Sequence, residues 1–260
     1  MRFKKTLLGV ALVLAGILST EIIARVLGIS DVPIRDPNPV TGYIPLPNQS
    51  GSFMNNSWHI NEMQMISRNE FTTDGDEILI AGDSIVFGGN KLDQSERVGE
   101  RLEAMLDARN VYTIADGGWS FKNPVNYLEA RKDELSKVKD IVLVLNSDDF
   151  DRPPASWRCM SNHPTETPLS ASYFAFRKYV FARQPDPTPD DLVVADFDVD
   201  SKLNGLLDDF KDTRFTILLY QNSSEWRSRQ SLRELLGDGV SDRIEVYAVS
   251  YTHLTLPTKA

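Results

Sequence analysis

Short apolar runs alternate with amphipathic segments along this chain, and the alternation restricts its fold more than any other feature. Buried strands are predicted where the apolar runs occur, at residues 77–84, 110–118, 140–149, 214–221 and 243–249. Helices are predicted where apolar residues recur at helical spacing, at residues 95–109, 125–138 and 223–238. Strands that alternate with helices are joined by right-handed crossovers, which make neighbouring strands parallel. The sequence therefore predicts an α/β fold with a five-stranded parallel sheet covered by helices on both faces.

The segment ahead of this pattern has the composition of an export signal. Arg2, Lys4 and Lys5 precede an apolar stretch from Leu7 to Leu18. Apolar residues resume shortly afterwards, so the whole segment is long enough to cross a bilayer. We interpret residues 1–29 as a signal anchor, a single hydrophobic helix with its N-terminus inside the cell. A cleaved signal peptide is the alternative.

Two segments lie outside the alternation of strands and helices. Residues 30–50 contain five prolines and no helical period, and we interpret 30–76 as a linker and extended lead-in on the domain surface. Residues 150–213 form a long insertion, which in α/β domains is often a lid or a substrate-shaping segment. Inside it, "SASYFAFRKYVFARQ" predicts a helix, and the aromatic residues of 172–181 are expected on its core-facing side.

Composition excludes several classes of partner and cofactor. The net charge of −9 argues against nucleic acid, because binding to phosphates depends on Lys and Arg. The single cysteine, Cys159, forms neither an intramolecular disulfide nor a cysteine-based zinc site. The run "NSDDFD" lacks the glycine and the terminal glutamate of a calcium loop, and "GDSIVFGGN" fits no nucleotide-binding motif. We therefore predict no metal and no cofactor.

The ends of the first three predicted strands carry polar residues and glycines. In an open parallel sheet, ligands bind beyond the carboxyl ends of the strands. Ser84 follows the first strand at a turn into a helix, where the helix N-terminus and nearby N–H groups stabilise an oxyanion. Gly117 ends the second strand and lets a substrate approach its backbone N–H. Taken alone, Gly-Asp-Ser also fits an ordinary Asp-Ser turn that caps a helix.

Together these strand ends resemble the SGNH (GDSL-type) hydrolase family. "ILIAGDSIVFGG" is similar to the block that carries the nucleophile, so the resemblance assigns this role to Ser84. "IADGG" is similar to the second block, in which Gly117 matches the glycine that supplies an oxyanion N–H. "VLVLNSDDF" is similar to the third block, and "GYIPLPNQSGSFMNNSWHINEMQMISRN" to the lead-in of membrane-anchored, exported members. The resemblance implies a three-layer αβα, flavodoxin-like domain over 77–249 that cleaves or transfers an ester-linked acyl group.

The third block departs from the family pattern, which is usually Gly-x-Asn-Asp. Aligned by the strand, Asn146 takes the glycine position and Asp148 takes the position of the asparagine that donates to the oxyanion. An ionised aspartate cannot donate a hydrogen bond and repels the developing negative charge. Three readings remain: Asn146 supplies the amide, Asp148 is protonated, or the third donor is missing.

The catalytic base of the family lies in a final Asp-x-x-His block, which this chain lacks. His253 follows the fifth predicted strand almost directly, with serine in place of the aspartate. Residues Val249 to Thr258, "VSYTHLTLPT", resemble a translated transposon-end sequencing adapter. We interpret residues 249–260 as a translated adapter on a reading frame truncated before this block. Residues 250–260, which follow the last predicted strand, form the non-native tail. The remaining histidines, His59 and His163, are interpreted as surface or structural residues.

The resemblance predicts a membrane-anchored, exported serine esterase. Its expected substrate is an ester. The signal anchor predicts a single-pass protein of the bacterial inner membrane with the domain in the periplasm or extracellular space, and this location alone favours an acylated carbohydrate as the substrate class. Two alternatives stay open: a polysaccharide O-acetyltransferase, or a degenerate SGNH domain that binds a glycan or a protein partner.

Overall fold

The computed structural model describes residues 2–106, 109–146, 152–157, 164–181, 187–220 and 243–249. It begins with a long helix, α1 (Arg2–Val26). The stretch Phe3–Val26 has a mean hydropathy of 2.2 in its most apolar window, which is only 6% buried. One N-terminal helix is therefore long and apolar enough to span a membrane.

A five-stranded parallel sheet forms the centre of the domain, as the alternation predicts. Its strands are β5 (Ile78–Gly82), β6 (Val111–Ala115), β7 (Asp140–Asn146), β8 (Arg214–Tyr220) and β9 (Ile244–Val249). The spatial order is β6-β5-β7-β8-β9, with every neighbouring pair parallel. Within this sheet, β5 comes first in the sequence and lies between β6 and β7. The strand order therefore reverses direction at the β5–β7 pair.

Side chains alternate along each strand, so they form two faces of the sheet, and both faces are buried. On one face, Leu79 and Leu143 belong to a core that includes residues of α4 (Lys122–Ala130) and α7 (Val199–Asp209). On the other face, Ile80 and Val144 pack in a cluster with α2 (Ser84–Phe87) and α3 (Val98–Met105). A short helix, α5 (Lys132–Leu135), follows α4 after a break at Arg131. Helices thus cover both faces of the sheet.

The lead-in segment forms two antiparallel hairpins. The first joins β1 (Arg35–Asn38) to β2 (Gly42–Pro45), and the second joins β3 (Gln49–Phe53) to β4 (Asn56–Ile60). Tyr43 is fully buried in the main core, so this segment is part of the domain. Gly42 has φ +78°, and a Cβ there would lie 1.9 Å from the Ala155 carbonyl oxygen. The first hairpin therefore packs closely on the segment that follows β7.

Helix α3 is shorter than the predicted range 95–109, and only part of its apolar surface packs on the sheet. Residues 94–96, which fall at the start of the predicted helix, form a separate 3₁₀ turn in which Ser95 donates to the side chain of Asp93. Leu102 and Leu106 pack against the sheet, whereas Met105 is 78% exposed. The glycine at position 99 permits this orientation by letting the helix approach β6.

The range predicted as an insertion contains a helix that covers the sheet. Helix α7 lies within 150–213, and its leucines are buried in the main core. The predicted aromatic helix is short: α6 (Ala171–Ala175) continues as a π-helical turn over Phe176–Val180. Its Phe174 is buried, but its other aromatic side chains are exposed. The expectation that these aromatics face the core is therefore wrong for all but one. The predicted helix at 223–238 lies outside the described residues.

Candidate functional site

The register of the sheet brings three of the residues singled out from the sequence to one level. Gly82 of β5 is paired with Ala115 of β6 and with Val144 of β7. Ser84, Gly117 and Asn146 each lie two residues beyond one of these paired positions. They therefore reach the carboxyl edge together, on three neighbouring strands. This edge, beside the β5–β7 pair where strand order reverses, is where open α/β sheets bind ligands.

Ser84 is exposed and starts helix α2 immediately after β5, between β6 and β7 in the sheet. The residue before it, Asp83, caps α2 by accepting a hydrogen bond from the Ile85 N–H at 2.9 Å. The other carboxylate oxygen of Asp83 accepts from the Tyr220 hydroxyl at 2.5 Å. Asp83 is thus held by α2 and β8. Within the described part of the chain, no group forms a hydrogen bond with the Ser84 hydroxyl.

Two arginines contact the Phe87 ring at the end of α2. The guanidinium of Arg35 lies 5.5 Å from the ring centroid, and that of Arg97 lies 5.4 Å from it. Arg97 also donates to the carbonyl of Phe87 and, at 2.9 Å, to that of Gly89. Burial lowers the pKa of the Arg97 guanidinium to about 10. These contacts hold the turn that carries Ser84, and both arginines were missed by sequence reasoning.

The backbone around Gly117 is fixed by a buried ion pair. Asp116 is fully buried and receives two hydrogen bonds from Arg35, at 2.7 and 2.8 Å. The same carboxylate accepts from the Gly117 N–H at 2.7 Å, and the Gly117 carbonyl accepts from the Tyr43 hydroxyl at 2.8 Å. The N–H predicted to bind an oxyanion is therefore occupied by Asp116 in this structure.

The remaining predicted residues divide between described and undescribed parts of the chain. Asn146 is buried at the last position of β7. His59 lies on β4, where its backbone N–H donates to Gln94 at 3.1 Å. The other predicted residues, Asp148, His163, His253 and Cys159, lie outside the described residues. Among the residues that the structure does describe, no group of three or more His, Cys, Asp or Glu could hold a metal ion.

Neither the family models nor the curated proteins searched contain a match to this chain. The fold and the strand-end geometry therefore carry the functional argument. They define a mixed α/β protein with a parallel five-stranded sheet, an exposed serine at the strand-order reversal and one long apolar N-terminal helix.

Proposed function

We propose that this protein is a membrane-anchored serine esterase of the SGNH type. The observation that carries the proposal is the position of Ser84, exposed beyond the end of β5, where the strand order reverses. Gly117 and Asn146 leave the sheet at the same level on the two flanking strands. This matches the order of the three SGNH blocks that the sequence resembles, with Asn146 as the proposed donor in place of the family's asparagine.

The proposed chemistry is acyl transfer through a covalent intermediate. The Ser84 oxygen attacks the acyl carbon of an ester, and its proton passes to a histidine base. The oxyanion is held by the N–H groups of Ser84 and Gly117 and by the Asn146 amide. The alcohol then leaves with the proton from the base, and water releases the acyl group from Ser84. For Gly117 to take part, its N–H must turn away from the Asp116 carboxylate.

The proposed location follows from α1. A helix of this length and hydropathy, with basic residues in its first turn, fits a signal anchor that leaves the domain outside the inner membrane. An acylated carbohydrate of the cell envelope is then an accessible substrate. If a sugar hydroxyl replaces water in the last step, the same residues catalyse polysaccharide O-acetylation.

A non-catalytic binding role is the competing proposal, and one observation favours it. The Gly117 N–H is held by Asp116, whose carboxylate is itself fixed by Arg35. With Asp148 at the position of the family's asparagine, two of the three expected oxyanion donors are altered. Such a domain would bind a glycan or a protein partner through the same edge of the sheet.

Sequencing the intact gene distinguishes the catalytic proposal from the binding proposal. If 249–260 is a translated adapter, sequencing the gene beyond codon 248 should reveal an Asp-x-x-His segment in the catalytic case. A full-length frame without that segment would favour the binding role.

The nucleophile is tested on the product of that intact frame. Ser84→Ala should abolish labelling by a fluorophosphonate probe, because the probe reacts only with an activated serine. Thermal unfolding should be unchanged, since Ser84 is exposed. Ser136→Ala, at an exposed serine after α5, is the matched control and should leave labelling intact. Labelling that survives in Ser84→Ala would refute the assignment.

A further inference from the structure

The contact between α1 and α6 fixes where α6 lies along the proposed transmembrane helix. Glu21 of α1 accepts hydrogen bonds from the backbone N–H groups of Ala171 at 2.9 Å and Ser172 at 3.0 Å. Arg25, one turn further on, pairs with Glu21 at 2.7 Å and donates to the Leu169 carbonyl. The start of α6 is therefore attached to the end of α1 by charged groups.

The rise of an α-helix places this attachment at the far surface of a bilayer. A helix advances 1.5 Å per residue, so Glu21 lies about 24 Å and Arg25 about 30 Å beyond Lys5 along the axis. The hydrocarbon core of a bilayer is about 30 Å thick. With Lys5 at one surface, Arg25 reaches the opposite surface and Glu21 lies about one helical turn before it, so the pair holds the start of α6 beside the headgroups.

The outward surface of α6 and its π turn is aromatic and exposed, and we call residues 169–181 the interfacial segment. Its exposed large apolar side chains are Leu169, Tyr173, Phe176, Tyr179, Val180 and Phe181. Leu169 is 96% exposed and Phe181 is 69% exposed. The rings of Phe176 and Phe181 stack with their centroids 6.2 Å apart. Phe174 faces the other way and is buried, which fixes the segment to the domain. An exposed apolar surface of this kind marks a docking site.

The interfacial segment is basic, although the protein as a whole is acidic. It contains Arg177 and Lys178 and no Asp or Glu, in a chain of net charge −9. The Lys178 ammonium lies 5.4 Å from the ring of Phe174 and 5.5 Å from that of Tyr179. Aromatic rings beside basic groups are typical of the membrane interface, where the rings occupy the boundary and the cations meet anionic lipids.

We propose that the interfacial segment docks into the headgroup region of the bilayer that α1 crosses. The occupant of this surface is lipid, because the segment is attached to α1 at headgroup level and has the charge and aromatic content suited to that region. The domain is then held against the membrane at two points. The inference rests on the proposed membrane span of α1 and is independent of the esterase chemistry.

The lead-in segment links the interfacial segment to the candidate site. Phe174 packs with Val32, three residues before Arg35. Arg35 is the residue that binds Asp116 beside Gly117. The residues around Arg35 therefore contact the interfacial segment at one end and the carboxyl edge of the sheet at the other.

Spin labels on the full chain in lipid nanodiscs test the proposal. The discs contain phosphatidylcholine and phosphatidylglycerol at one protein per disc, and Cys159→Ser removes the native cysteine. Labels at Phe176→Cys, at Leu14→Cys in α1 and at Met105→Cys on α3 are compared for collision with oxygen and with a water-soluble nickel complex. Met105 is the matched control, since it is an exposed apolar residue on another element.

We expect oxygen collisions to dominate at Leu14 and Phe176, and nickel collisions at Met105. A lipid-facing label at Leu14 with a label at Phe176 as wet as that at Met105 would overturn docking while the anchor stands. A wet label at Leu14 would overturn both. Spin–spin broadening at Phe176 in discs loaded with two proteins, lost on dilution with unlabelled protein, would assign the surface to a second copy instead. Fluorophosphonate labelling at Ser84 is a separate readout, so a failed esterase proposal leaves these outcomes unaffected.

Discussion

At the scale of single residues, burial distinguishes the ion pair that stabilises the candidate site from ion pairs on the protein surface. Arg35 and Asp116 are almost completely buried and bind through two hydrogen bonds. The Lys132–Asp209 pair has a similar N–O distance of 3.0 Å, but both side chains are more than one-third exposed. A buried charge that loses its partner remains unsolvated, whereas a surface charge is taken up by water.

We therefore expect Arg35→Ala to lower the free energy of unfolding by about 3–5 kcal/mol, because it leaves the Asp116 carboxylate buried and unpaired. Urea denaturation followed through tryptophan fluorescence measures this change. Lys132→Ala is the control and should cost less than about 1 kcal/mol. Equal losses in the two variants would contradict the role assigned to the buried pair.

A second prediction at this scale concerns His253. The 260-residue chain should have little or no esterase activity, because residues 250–260, which we interpret as a non-native tail, supply no catalytic base. His253→Ala should therefore leave the activity unchanged. A serine without its base typically loses about 10⁴- to 10⁶-fold in turnover. Hydrolysis of p-nitrophenyl acetate measures this, with Ser84→Ala as the background. Ser84-dependent turnover that disappears in His253→Ala would identify His253 as a genuine base.

At the scale of elements, the packing of α3 on β6 depends on the absence of a side chain at one position. A Cβ at Gly99 would lie 2.3 Å from the Thr113 hydroxyl oxygen, which is buried on β6. A Cβ at Gly205 of α7 would have no heavy atom of the described chain within 4 Å apart from its own helix backbone and chain neighbours. The same substitution should therefore have opposite effects in two helices of one protein.

Gly99→Ala should destabilise the protein by about 1–3 kcal/mol, because overpacking against β6 outweighs the better helix propensity of alanine. Gly205→Ala should stabilise it by about 0.5–1 kcal/mol, since only the propensity changes there. Urea midpoints of the two variants give the comparison. Stabilisation by both substitutions would show that α3 does not approach β6 as closely as described.

At the scale of the whole molecule, the proposed membrane anchor predicts the location of the domain. A fusion of residues 1–40 to a periplasmic reporter should be exported and remain in the membrane fraction, because α1 is long and apolar enough to span a bilayer. Cell fractionation with an immunoblot checks both points. A shorter, soluble reporter would show that the segment is a cleaved signal peptide.

Several features of this molecule could be predicted from consecutive residues alone. The five parallel strands were confirmed, because a strand buried on both faces is a short run of apolar residues whatever surrounds it. The N-terminal helix was predicted because its apolar residues also follow one another in a single long run. Ser84, Gly117 and Asn146 were placed at strand ends by counting from these runs, and the parallel register then brought them to one level.

Other features depend on parts of the chain that meet only after folding. The proline-rich sequence around Arg35 does not indicate that its guanidinium binds Asp116, 81 residues away, or that this carboxylate then occupies the Gly117 N–H. The outward direction of the aromatics in α6 follows from its attachment to Glu21, some 150 residues earlier. Apolar periodicity is recorded in neighbouring residues, so the sequence alone determined the strands and α1. Ion pairs and exposed surfaces depend on which distant segments come together, so only the tertiary structure decided them.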